Sequence, residues 1–510
     1  MLFNSFHFLL FFPIVTTLYF LVPHRFRWGI LLAASCYFYM AFIPQYILIL
    51  LVTITVDYFA GIGLETVQGN RKRWLLIASI LANIGMLAFF KYFNFANENL
   101  AALANFIGWN YPIENLEIIL PIGLSFHTFQ SLSYTIEVYR GNQKAERHFG
   151  YLALYVLFYP QLVAGPIERP QNILHQLHEE HRFEYQRVAD GLKWMAWGMF
   201  KKVVIADRMA LFVNPIYDYP IGYQGPALAL ATIAFAIQIY CDFSGYSDIA
   251  FGSAQVMGLR LMKNFQHPYF SKSISEFWRR WHISLSTWFR DYVYIPLGGN
   301  RAGIPRMVVN LLITFLISGL WHGANWTFVI WGALHGMYVV LSGLMEPLWN
   351  RLRNAAFAKQ FSTVLDGVAL LTTFVLVCFA WIFFRAWNVS DALYIVTHLF
   401  SGWGTFLSHA ASLIFEGTHT GLGGLVNGFL AALSSLLPVT RAEIALSGMA
   451  LLFLLYMEVK QYQENFLEQF NLKVKQPVFR YLCYLLLVIA ILTFGTSYTG
   501  VEQAFIYFQF

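Results

Sequence analysis

Apolar runs that approach or reach the roughly 20 residues an α-helix needs to cross a bilayer core recur along almost the whole chain. They lie at 3–22, 28–42, 46–64, 74–90, 118–139, 226–240, 307–320, 326–345, 364–384, 445–457 and 481–498. Only 12% of the residues are charged and 58% are hydrophobic, against about 25% charged in soluble domains. Without water, backbone groups are satisfied only inside helices or closed barrels. The short alternating segments of a barrel are absent from the sequence. The expectation is an all-α polytopic membrane protein of about 11 transmembrane helices with additional re-entrant or interfacial helices. We read 1–510 as one membrane domain: N-terminal spans in 1–150, a core in 151–346 and C-terminal spans in 347–510. The segment 387–441 is placed mostly outside the membrane.

The basic residues are distributed as the positive-inside rule requires. Arg25 and Arg27, then Arg71, Lys72 and Arg73, then Arg140, Lys144 and Arg147 fall on one side of the alternating spans. That side is the cytoplasm, which leaves the N-terminus outside. The excess of Lys and Arg needs no polyanion to explain it, and no nucleic-acid motif is present. Cys36, Cys241, Cys378 and Cys483 lie in or beside apolar stretches without CxxC spacing, as small buried hydrophobes do. His175, His178 and His181 sit among charges in 171–187, where a solvated surface helix is favoured over a metal site. Residues 94–117 read as an outer loop with 100–109 lying along the interface, and 190–208 as an interfacial or tilted helix. Ala164-Gly165-Pro166-Ile167-Glu168-Arg169-Pro170 reads as a stiff turn near the membrane surface.

Three stretches carry chemistry that such a background does not require. In Cys241-Asp242-Phe243-Ser244-Gly245-Tyr246-Ser247-Asp248 two acids lie at membrane depth. They must be paired or face a cavity, so Asp242, Ser244, Tyr246 and Asp248 are site candidates; a structural network holding a broken helix is the competing reading. Residues 260–306 form the most basic stretch and contain no full-length apolar run, as a cytoplasm-facing or re-entrant module would. Ser273-Ile274-Ser275-Glu276 has capping-box form. The helix it starts would put Trp278, His282 and Leu285 on one face, and Phe277, Trp281 and Trp288 on another. Arg279, Arg280 and Arg290 suit a phosphate-bearing donor, or equally serve as positive-inside anchors. Third, 307–320 and 326–345 make a hairpin whose far end is Trp321-His322-Gly323. An arm of about 14 residues reaches about 20 Å, which would leave His322 within the membrane. Irregular backbone there must line a cavity or be buried in protein.

Leu120-Pro121-Ile122-Gly123-Leu124-Ser125-Phe126, Ala164-Gly165-Pro166-Ile167, the 242–248 motif, 276–291, 321–326 and the closing Phe505-Ile506-Tyr507-Phe508-Gln509-Phe510 together resemble the membrane-bound O-acyltransferase family. Within it the chain is similar to the branch of the alginate O-acetyltransferase membrane subunit. The resemblance implies a tunnel through the membrane, with His322 catalytic and His282 beside the same tunnel. It implies an acetyl donor entering from the cytoplasm, acetyl-CoA or another activated carrier, and no tightly bound cofactor or metal. It also implies an extracytoplasmic acceptor polysaccharide, an exported partner protein that completes delivery, and a bacterial cytoplasmic membrane. The polymer could be alginate, peptidoglycan, cellulose or another envelope glycan.

Imidazole suits the removal of a sugar-hydroxyl proton, and Asn325 or a backbone N–H could stabilise the developing oxyanion. Spacing alone also fits a histidine buried for packing; depth and resemblance favour catalysis. His282 could relay protons, orient substrate or hold the module in place. Trp321 and Trp326 are expected to wall the cavity, while His127 and His335 are expected to pack or hydrogen-bond. The rival class, a small-solute transporter, predicts an internal repeat or an ordered relay of intramembrane charges. Neither is visible.

Overall fold

The computed structural model describes residues 1–117, 119–301, 303–354, 361–419, 421–495 and 505–506. The end of the last expected span and residues 507–510 of the closing motif therefore lie outside the described residues. Among the described residues the regular elements are all helical, with no strand. Eight helices are long and apolar enough to cross a membrane. The shortfall from about 11 has identifiable causes. Phe6–Leu21 has only 16 residues, and His24–Met40 has 17 and opens on His24, Arg25 and Arg27. Leu124–Arg140 carries His127, Gln130, Ser131, Ser133, Thr135 and Glu137, all buried. Its polar side chains are shielded by neighbouring helices, so it is an internal helix of the bundle.

At three places the structure adds local detail to the sequence reading. The outer loop at 94–117 is largely helix, because Gly69–Leu87 continues through a π turn at Ala88–Tyr92 into Phe93–Phe106. The polar residues that break the hydropathy pattern there pin the returning strand of chain. Asn94 exchanges two hydrogen bonds of 2.9 Å with the Leu116 backbone, and Tyr111 donates to Asn97 at 2.8 Å. The expected interfacial helix at 190–208 runs instead from Tyr185–Met199 through the π-helical Phe200–Ala206, whose residues are all buried. Finally, 387–441 forms three helices, Val389–His398, Trp403–Thr418 and Leu422–Ser434. Its glycines are contact points: a Cβ on Gly417 would collide with Gly424 O and one on Gly428 with Leu413 O. Small residues here let two short helices close on each other.

The chain forms two compact units. Among the described residues the first comprises Met1–Gly198 and Tyr246–Asn264. Its helices Ile47–Thr66, Gly69–Leu87 and Leu124–Arg140 meet around buried Asp57, which accepts from Ser79 Oγ at 2.7 Å and Asn83 Nδ2 at 3.0 Å. The histidines at 175, 178 and 181 have separate partners: Gln171 O, Glu146 Oε2 and Gln176 O.

Glu168 was expected at the membrane surface, but it is fully buried. Its carboxylate accepts from Asn172 Nδ2 at 2.9 Å and from the Met262 backbone. Burial raises its pKa to about 7. Because the folded pKa lies above the unfolded one, near 4.3, the fold binds a proton that the unfolded chain has released. Stability should therefore fall as pH rises from about 4.5 to 7. Glu168→Gln should flatten that slope in thermal denaturation of detergent-solubilised protein. An unchanged slope would contradict the assignment.

The second unit comprises Met199–Gly245 and Phe265–Ile506. At its centre, Ile304–His322 and Trp326–Asn354 form the expected hairpin. Close approach is written in glycine: a Cβ on Gly319 would strike Phe328 O, and one on Gly332 would strike Phe315 O. Ser362–Arg385 packs against the second arm.

Candidate active site

The first hairpin arm has 19 residues, so it rises about 28 Å rather than about 20 Å. Arm length therefore no longer sets the depth of His322. What shields this side chain is protein: it is 6% exposed, at the last turn of the arm before extended Gly323. Its ring lies edge-on to Trp321 at 4.9 Å, Trp331 at 5.0 Å and Phe384 at 5.2 Å. A Cβ on Gly323 would overlap the Phe328 ring, so only glycine permits this turn.

Residues 273–289 differ from the single helix expected after Ser273. The N-cap half of the box forms, with Ser273 Oγ accepting from Glu276 N at 3.1 Å, while Glu276 Oε2 accepts from Lys272 N, one residue before the cap, at 2.8 Å. The helix nevertheless stops after Ile274–Arg280, Trp281 is extended, and a second helix runs from Ile283–Phe289. The joint is His282, with left-handed φ 42° and ψ 55°. Three to four residues apart no longer means one face, so the expected pairing of Trp278 with His282 and Leu285 fails. Left-handed backbone costs a β-carbon-bearing residue about 1–2 kcal/mol, and such conformations concentrate at functional sites.

The His282 ring is fully buried, edge-on to Phe243 at 4.6 Å and 6.3 Å from Trp321. Both histidines thus meet the same indole. Trp278 donates from Nε1 to His335 Nδ1 at 3.2 Å, and Trp281 stacks on Phe277 at 5.4 Å and lies 5.2 Å from Trp381. The structure therefore brings His282, Trp278, Trp281, Trp321 and His322 into one aromatic cluster.

The other expected residues are placed differently. Asn325 donates to Trp387 O at 2.9 Å and accepts from Thr327 N at 3.0 Å, capping the second arm. Trp326 is 53% exposed. The helix containing the 242–248 motif, Gly225–Met257, is unbroken, which removes the broken-helix reading. Asp242 is ion-paired with Lys202 at 2.6 Å, Lys202 also holds Asp207 at 2.9 Å, and Ser244 accepts from Lys201 at 2.8 Å. The Ile506 backbone N–H donates to Asp242 as well. Tyr246 and Asp248 belong to the first unit, where the Tyr246 ring packs on Phe3 at 4.5 Å.

Beside the cluster, a cavity of about 460 Å³ is lined by Ser275, Trp278, Arg279, Arg290, Thr314 and Ser318, among others. Arg279 and Arg290 are exposed and on this cavity. Arg280 is not on it: it pairs with Glu276 at 2.7 Å and covers the Tyr462 ring.

The sequence reading missed Phe243, Trp331, Trp381 and Phe384. A periodic signal was available for two pairs, because Trp331 and His335 are four apart on one helix and Trp381 and Phe384 three apart on another. No one-dimensional pattern brings those helices onto His322.

Comparison with known proteins finds relatives of this chain. The membrane-bound O-acyltransferase family matches residues 147–384, which contain both histidines. "Probable alginate O-acetylase AlgI" of Pseudomonas aeruginosa is 39% identical over 79% of this chain and 75% of its own length. The protein of that name from Azotobacter vinelandii is 40% identical over 79% of this chain and 78% of its own. "Peptidoglycan O-acetyltransferase" of Helicobacter pylori is 36% identical over 74% of this chain and 75% of its own.

Proposed function

The chain belongs to the membrane-bound O-acyltransferase family, and on that basis we propose that it O-acetylates an extracytoplasmic polysaccharide, with His322 as the base. The buried imidazole at the hairpin end, enclosed by Trp321, Trp331 and Phe384, is the observation that carries the reading. His322 takes the proton of a sugar hydroxyl while that oxygen attacks the acyl carbonyl. The carbon–sulfur bond of a thioester donor then breaks, and the proton passes to the departing thiolate. The products are the ester and a free thiol. His282 orients or relays from the joint of the re-entrant module. The cavity at Arg279 and Arg290 receives the donor, acetyl-CoA or another phosphate-bearing carrier, because guanidinium groups match phosphate oxygens.

Alginate-type exopolysaccharide is the leading acceptor, supported by the names of the relatives at 39% and 40% identity. Peptidoglycan is the second reading, supported by the Helicobacter relative at 36%. Family membership sets aside a small-solute transporter. Acetyl content of each envelope polymer, wild type against His322→Ala at equal protein level, decides among acceptors. Loss from one polymer names it, and full acetylation of all of them refutes the reading.

The proposed setting is the bacterial cytoplasmic membrane, with an exported partner completing delivery and the N-terminus outside. Orientation rests on the basic loops at 25–27, 71–73 and 140–147. A Lys72→Cys variant should react with an impermeant maleimide only in inverted vesicles, above the wild-type background. Labelling in intact cells would reverse the topology.

A further inference from the structure

Trp331, His335 and Trp381 are each no more than 1% exposed and belong to one aromatic cluster, in which Trp331 packs on His322. Trp331 lies 4.9 Å from His335 and 6.0 Å from Trp381, and His335 lies 6.4 Å from Trp381. Indole nitrogen only donates. The Nε1–H groups of Trp331 and Trp381 have no acceptor among the described residues, and neither does His335 Nε2. The tautomer of His335 follows from its other nitrogen: Nδ1 accepts from Trp278 at 3.2 Å, so the ring is neutral and its hydrogen sits on Nε2. Three buried N–H donors without acceptors are thus gathered within one ring cluster, of which the Trp331 ring packs edge-on against the candidate base at 5.0 Å.

Buried donors are nearly always hydrogen-bonded in native proteins, and each exception calls for an explanation. Packing alone calls for an apolar ring and gives no reason for an N–H that must be satisfied. We infer that Trp331, His335 and Trp381 form a carbonyl-binding subsite that takes the acyl oxygen of the donor beside His322. The inference rests on the acyl-transfer reading above and adds to it the residues that recognise the acyl group. The subsite prefers a small, uncharged acyl group with one acceptor oxygen: the walls are aromatic, and a carboxylate would enter a site holding no settled cation. Donors poised where negative charge develops on oxygen are also the arrangement that lowers an acyl-transfer barrier.

Two non-transferable probes test it on the full-length protein in detergent or nanodiscs. S-acetonyl-CoA carries a ketone oxygen, whereas S-(2-methylallyl)-CoA replaces that oxygen by a CH₂ of similar shape. Wild type should bind the ketone about tenfold more tightly, the scale of hydrogen bonds to an otherwise desolvated group. In Trp331→Phe and, independently, Trp381→Phe, the preference should fall at least about threefold, while binding of the methylallyl probe is retained. Retained methylallyl binding also shows that a variant is folded. Equal binding of both probes by wild type, or an unchanged preference in both variants, overturns the subsite alone. Binding of neither probe by wild type overturns the thioester-donor reading, and the subsite with it.

Discussion

Acetyl transfer should fall by about 10²–10⁴-fold in His322→Ala, the usual contribution of a positioned general base. At 1.36 kcal/mol per tenfold that is roughly 3–5 kcal/mol of transition-state stabilisation. The loss should appear in the rate and leave the amount of protein in the membrane largely unchanged. His322 packs against three aromatic rings, so a purely structural histidine would behave differently. Its removal would open a cavity and lower protein yield or thermal stability, while the surviving molecules kept their turnover. His322→Gln retains much of the volume and a hydrogen-bonding head but cannot accept a hydroxyl proton near neutral pH. Both variants should therefore be inactive to a similar degree. An active glutamine variant would remove His322 from the role of base.

His282 allows a sharper separation, because backbone and ring can be tested apart. Its φ of 42° is a conformation that glycine adopts at little cost and other residues at about 1–2 kcal/mol. His282→Gly therefore loses the ring and relieves the backbone, whereas His282→Ala loses the ring and keeps the strain. If the imidazole orients substrate or relays protons, both variants should lose activity about 100-fold, with the glycine variant unfolding at the higher temperature. Near-wild-type turnover in His282→Gly would show that the residue serves only to turn the chain between Ile274–Arg280 and Ile283–Phe289.

The reading of His282 also illustrates where sequence reasoning stops. Helical periodicity placed His282 on a face with Trp278 and Leu285, because nothing in Trp281-His282-Ile283 resembles a helix stop: there is no glycine or proline. Burial of Phe243 against the His282 ring, and of Trp281 against Phe277 and Trp381, accompanies the break. Phe243 and Trp381 are far away in the chain. Asp242 is a similar case. Its cost at membrane depth was legible, but its partners, Lys202 and the backbone of Ile506, could not be read from spacing.

The sequence by itself determined that this is a helical membrane protein, where its hairpin bends, and which two histidines stand out. Those properties follow from local quantities: the length of apolar runs, the sign of loop charges, and polar groups set where hydrocarbon tolerates none without a partner. Tertiary structure decided what the histidines touch. It ended the helix from Ile274 before His282, lengthened the hairpin arm, buried Glu168, and brought Trp331, His335 and Trp381 together, with Trp331 on His322. Helix–helix packing sets these relations through side-chain shape and glycine contacts such as Gly319 with Phe328 and Gly332 with Phe315. Shape complementarity between separated segments has no period along the chain, so only the folded molecule displays it.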